Sequence, residues 1–209
     1  MRPEAVELGF NPDELRFLRK LNRPAKIQDF LETLPINFES KGETLMSPRR
    51  VLQERCAHCM EGALLAAAAL AVAGHKPLLL DLVTVEKDYY HVVAPFQIAG
   101  FWGAISKTNH AVLRYREPIY KTIRELALSY FHEYFLDDGS KTLRSYAGPF
   151  NLSRFNKKHW ATSEEDLWWL SDELDKVKHC QILSQKQKTG LRRADKIEIT
   201  AGKLEEWKR

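Results

Sequence analysis

Cysteine is nearly missing from this chain. Only three copies stand among 209 residues, an odd number. The N-terminus, MRPEAVELGF, lacks the apolar core of a secretion signal. Both argue against a disulfide framework, and the expected setting is a reducing compartment, the cytoplasm. Long hydrophobic runs are missing too. The longest uncharged apolar stretch, residues 62–74, is too short to span a bilayer, so no membrane partner is expected. An excess of one charge is absent from most of the length. The net charge of +4 comes from residues 185–209, where eight Lys or Arg face four Asp or Glu. Such a basic tail reads as a solvated, partly mobile terminus that can also attract acidic partners. With no internal repeat and no low-complexity linker, residues 1–209 read as a single domain.

Against that scarcity, two of the three cysteines, Cys56 and Cys59, sit directly before residues 60–73, where Glu61 is the only charge. Ala and Leu fill this segment and are among the strongest helix formers, and Gly74 supplies the stop. A buried helix with Cys59 in its first turn is expected. The unsatisfied N–H groups of a helix start favour a thiolate over a thiol, which makes Cys59 a candidate nucleophile. Glu61 favours the helix dipole but, being close, opposes the thiolate. The plain alternative is a small residue in a core helix.

Around this helix the period of the apolar residues changes. Residues 12–21 and 25–34 carry helical stripes. Residues 36–46 look irregular, and Ser47-Pro48 opens a short helix to about Glu54. After Gly74, residues 77–85, 88–96, 101–106 and 111–115 read as strands with short connections, hence an antiparallel meander packed on the Cys59 helix. A helical face returns over 118–136, and 141–160 look loop-rich. Thr162 with Glu165 resembles a capping box before a helix with Leu167, Leu170, Leu174 and Val177 as its stripe. Residues 196–200 read as a strand. The fold class is α+β.

Cysteine catalysis requires a histidine within hydrogen-bond reach and a group that orients it. Of seven histidines, His91 stands mid-strand in the meander expected to cover the helix. His75 lies past the far end of that helix, and His58, next to Cys59, points elsewhere. The run Cys59-Met60-Glu61-Gly62-Ala63-Leu64-Leu65, the Gly74 turn, the strand histidine His91 and the following Trp102-Gly103-Ala104-Ile105-Ser106 resemble the core of the transglutaminase-like superfamily. That fold belongs with the papain-like cysteine proteases. The resemblance covers residues 47–116. It implies Cys59 as nucleophile and His91 as general base and acid. The family's aspartate, four residues after the strand tryptophan, is replaced here by Ser106. A hydroxyl can hold an imidazole tautomer but does not stabilise an imidazolium as a carboxylate does. Asn109 and Asp81 are the substitutes in reach of the pattern. Gln53 has the spacing of the oxyanion-hole glutamine, six residues before the cysteine.

Two other chemistries have residues in the chain. Cys56 and Cys59, with His58 between them, offer half of a zinc site, but the remaining pair, His179-Cys180, is adjacent and would point apart, so no metal is expected. Lys157-Lys158, Arg192-Arg193 and Trp168-Trp169 supply charge and aromatics for nucleic acid, yet the Trp pair lies in the acidic run SEEDLWWLSDELD, so nucleic acid is not the expected partner. The expected function is acyl transfer or amide and peptide hydrolysis through a Cys59 thioester. Its partner is a peptide, a protein or a small amide, and no cofactor is needed. The alternative is an inactive member of the fold that binds peptides or proteins.

Overall fold

The computed structural model describes residues 8–208. Three helices come first: α1, Pro12–Leu18; α2, Pro24–Glu32; α3, Pro48–Glu54. Each begins at a proline, whose fixed φ suits the first helical position. Asn11 and Ser47 cap α1 and α3 with their side chains. Helix α4, Cys59–Val72, is buried at every residue after Cys59. A helix covered all round shows no amphipathic stripe, and α4 has none. Leu64, Leu65 and Leu70 are wholly buried, each stabilising the fold by roughly 1.5–3 kcal/mol.

Strands β1 (Leu78–Val83), β2 (His91–Ile98) and β3 (Phe101–Ile105) form the expected meander. They belong to a six-stranded antiparallel sheet in the order β4-β3-β2-β1-β5-β6. Its other strands are β4 (Arg116–Tyr120), β5 (Ser145–Asn151) and β6 (His179–Gln181). The sheet is covered on both faces. Leu79, Val92, Ala94, Phe96 and Ile105 join α4 and the N-terminal helices in one core. Leu80, Leu82, Val93 and Ala104 join a second, with Tyr130, Tyr134 and the short helix α5 (Ile123–Leu128). Alternate residues of one strand thus enter different cores, which is why β1 is apolar on both faces apart from Asp81.

Several expectations are corrected. The strand expected at 111–115 does not form. The next strand is β4, which runs into the start of the stretch read as helical, and Thr122 delays the helix by capping α5 at Glu125 N. The loop expected over 141–160 contains β5, which crosses back to pair with β1. Thr162 opens no helix. Helix α6 (Trp168–Asp175) starts six residues later without a side-chain cap. Residues 185–208 hold helices α7 (Gln185–Thr189) and α8 (Lys196–Gly202). Residues 196–200 are helical because Glu198 reaches back to Asp195 N at 2.6 Å, closing a first turn that the alternation of Ile197 and Ile199 does not reveal. The basic tail is tied to the body at Leu204–Trp207, described below. Among the described residues no single helix is long and apolar enough to cross a membrane.

Candidate active site

Cys59 is placed by a sharp corner. Helix α3 ends at Arg55 with φ 59°, Ala57 N donates to Pro35 O at 3.2 Å, and α4 sets off at 110° to α3. His58 is the N-cap, its Nδ1 3.2 Å from Met60 N and its Nε2 2.9 Å from Thr44 O. Glu61 is drawn into a network of backbone and side-chain donors. It is fully buried, and its carboxyl accepts from His58 N at 2.9 Å, Met46 N at 3.0 Å, Thr44 Oγ1 at 2.8 Å and Asn37 Nδ2 at 3.1 Å. It is the anchor that holds the start of α4 to residues 37–46.

His91 opens β2, and Ser106 follows the last residue of β3. The register that pairs Ala94 with Ile105 brings this serine to the histidine. Ser106 Oγ lies 2.5 Å from Leu113 O and 2.7 Å from His91 Nε2. A carbonyl only accepts, so the hydroxyl hydrogen goes to Leu113, and the serine oxygen accepts from His91 Nε2–H. Nδ1 is then the nitrogen left for the thiol. Burial opposes a thiolate at Cys59, but hydrogen bonds from His58 and His91 and the charge of both rings outweigh it, lowering the thiol to about 5. Burial likewise opposes charge on His58, yet its hydrogen bond to Cys59 and the Glu61 carboxylate raise it to about 9. The thiol is therefore flanked by two histidines. His58, read from sequence as pointing elsewhere, is one of them.

The other candidates fall differently. Asn109 does not turn to His91. Its Oδ1 accepts from Trp207 N at 2.8 Å and its Nδ2 donates to Trp207 O at 2.9 Å. With Ala111 N bonded to Leu204 O at 3.0 Å and Glu206 N to Asn109 O at 2.9 Å, the amide fastens the tail along residues 109–111. Gln53 is exposed at the end of α3 and lies outside the cleft that contains Cys59. Asp81 is 3% exposed with Oδ1 unpartnered among the described residues. Burial, then the charges of Asp175 and Cys59, push its carboxyl up to about 7.

Cys59 and His91 open into a cleft of about 960 Å³. The segment Asp88-Tyr89-Tyr90 forms one wall, Tyr134 and its neighbours another, and Lys203 and Glu205 of the tail a third. An activated thiol beside an oriented imidazole, in a cleft of this size, can attack a carbonyl and pass a proton to a leaving group. Among the described residues, no three His, Cys, Asp or Glu side chains converge as a metal site. His179 and Cys180 lie on β6, paired with β5.

Sequence reasoning missed Gln28, whose side chain holds the Ser106 backbone. It also missed Leu113 O and the tail strap. Their partners are 78, 7 and 98 residues away, and no local pattern announces such pairings. Compared with known protein families and with curated proteins, the chain matches no family model and no curated protein.

Proposed function

We propose that this chain is a cysteine-dependent acyl-transfer or amide-hydrolysing enzyme of the transglutaminase-like, papain-like kind, working in the cytoplasm on a peptide, a protein or a small amide. Cys59 Sγ attacks the substrate carbonyl, and His91 gives its proton to the departing amine. A thioester remains. Water or a second amine then attacks it, His91 takes the proton released, and the thiol returns. Ser106 holds His91 in the tautomer that turns Nδ1 to sulfur. Nothing in this cycle requires a cofactor.

One observation carries the reading: a thiol lowered to about 5 shares a cleft with an imidazole whose far nitrogen is 2.7 Å from Ser106 Oγ. Perturbed nucleophiles of this kind cluster at functional sites. A second reading, an inactive fold that binds peptides or proteins, is favoured by the absence of a carboxylate hydrogen-bonded to His91 among the described residues.

The pH dependence of iodoacetamide labelling at each cysteine, read by peptide mass spectrometry, separates the two. The enzyme reading expects fast labelling of Cys59 at pH 6 that is lost in His91→Ala. Slow labelling in both proteins, rising only near a free thiol's pKa of about 8.5, would sink it in favour of binding.

A further inference from the structure

Two tyrosines of the second core, Tyr130 and Tyr134, carry hydroxyls with no hydrogen-bond partner among the described residues. Tyr130 is wholly buried and stands apart from the cleft. Tyr134, which follows the 3-10 turn Phe131–Glu133, is 3% exposed and lines the cleft together with Cys59 and His91. A buried hydroxyl without a partner lowers stability. Burial, followed by the charges of Cys59, Asp88 and Asp81, holds this phenol well above its ordinary value. Its proton therefore stays in place wherever the thiolate exists. Tyr134 is a donor lining the same cleft as the nucleophile, and among the described residues it has no acceptor.

We propose that Tyr134 donates its hydroxyl hydrogen bond to the carbonyl oxygen of the acyl substrate while Cys59 attacks, making it a catalytic residue at the oxyanion. This rests on the reading of Cys59 as an acylated nucleophile. In the step, a sulfur lone pair forms the S–C bond and the carbonyl π pair moves onto oxygen. That oxygen accepts the Tyr134 O–H hydrogen bond without taking the proton. On collapse the pair returns, the bond to the leaving atom breaks, and the proton on His91 goes to that atom. Donors preset where charge develops act strongly in a site sheltered from water. Gln53, the candidate from spacing, lies outside the cleft, so the position is open to Tyr134. The substrates implied are neutral carbonyl compounds: amides, esters or thioesters.

The test compares two reactions of Cys59, only one of which makes an oxyanion. Alkylation by iodoacetamide makes none; acylation by p-nitrophenyl acetate, followed as p-nitrophenolate release, does. In Tyr134→Phe, acylation is expected to slow by roughly 10²-fold. Alkylation at pH 6 should stay within twofold, and the thermal midpoint should not fall. Tyr130→Phe, which removes the other unpartnered hydroxyl, should acylate at the wild-type rate. Wild-type acylation in Tyr134→Phe overturns this proposal alone, as does a parallel fall of both reactions. A wild-type protein that is neither alkylated at pH 6 nor acylated overturns it together with the reading of Cys59.

Discussion

Gln28 grips Ser106 by both backbone polar groups. Its Oε1 accepts from Ser106 N at 3.0 Å, and its Nε2 donates to Ser106 O at 2.9 Å. The amide is 6% exposed and sits on α2, so an N-terminal helix fixes the residue that orients His91. A side-chain amide matches a peptide unit donor for acceptor, as Asn109 also does at Trp207.

Replacing Gln28 with Leu keeps volume but leaves one buried N–H and one buried C=O unpaired. Stability should fall by about 2–6 kcal/mol, at 1–3 for each of the two unsatisfied groups. Chemical denaturation gives this number. Labelling of Cys59 at pH 6 should slow as well, because Ser106 no longer holds the imidazole. Unchanged labelling in a destabilised protein would make Gln28 a packing residue only.

Asp81 makes stability depend on pH in a stated direction. Its carboxyl rises from an ordinary 3.8 to about 7 on folding, so between those values the native state binds more protons than the unfolded state, and stability falls as pH rises. At 1.36 kcal/mol per pKa unit, the loss is on the order of 4 kcal/mol, complete above pH 7. Asp81→Asn cannot ionise. It should match the wild type near pH 4 and exceed it at pH 8, as read from thermal midpoints across that range. Equal slopes for both proteins would refute the assignment.

Gly62 sits where α4 passes the end of β3, and a Cβ there would overlap Lys107 Cβ. In an open helix, Gly→Ala stabilises by about 1 kcal/mol. Here overpacking of about 1–3 kcal/mol opposes that gain. Lys107 cannot easily retreat, since its Nζ is bonded to Leu34 O. Gly62→Ala should therefore lose stability and shift the start of α4, slowing Cys59 labelling. A more stable variant would show that the helix can slide.

The strap predicts local loosening. Asn109→Ala removes both amide bonds to Trp207, worth about 1–3 kcal/mol together. Hydrogen exchange at the Trp207 amide should accelerate while the amides of α4 stay protected. Acceleration throughout would mean that the tail supports the whole fold rather than the cleft wall alone.

The helix of the nucleophile and the first three strands were legible because composition and turn chemistry agree there: Ala and Leu over 60–73, Gly74 at φ 94°, short connections after it. Cys59, His91 and Ser106 were legible through the order in which those elements follow one another. Elsewhere distant partners decided. Residues 107–113 leave the sheet because Lys107, Asn109 and Leu113 O engage Leu34, Trp207 and Ser106, none a neighbour in sequence. Strand β5 was hidden because its pairing with β1 comes after a long crossover, and Asn109 was misread because spacing alone does not say that an amide is claimed by the far end of the chain.

The hydroxyl behind His91 has a kinetic consequence. Ser106 brings no charge to His91, and in the free enzyme the Cys59 thiolate supplies one. Forming a thioester consumes that charge, so water must be activated without the negative charge that assisted capture. Release would then lag behind capture. The acyl-enzyme should accumulate as a burst, and an amine, nucleophilic without help, should empty it faster than water does.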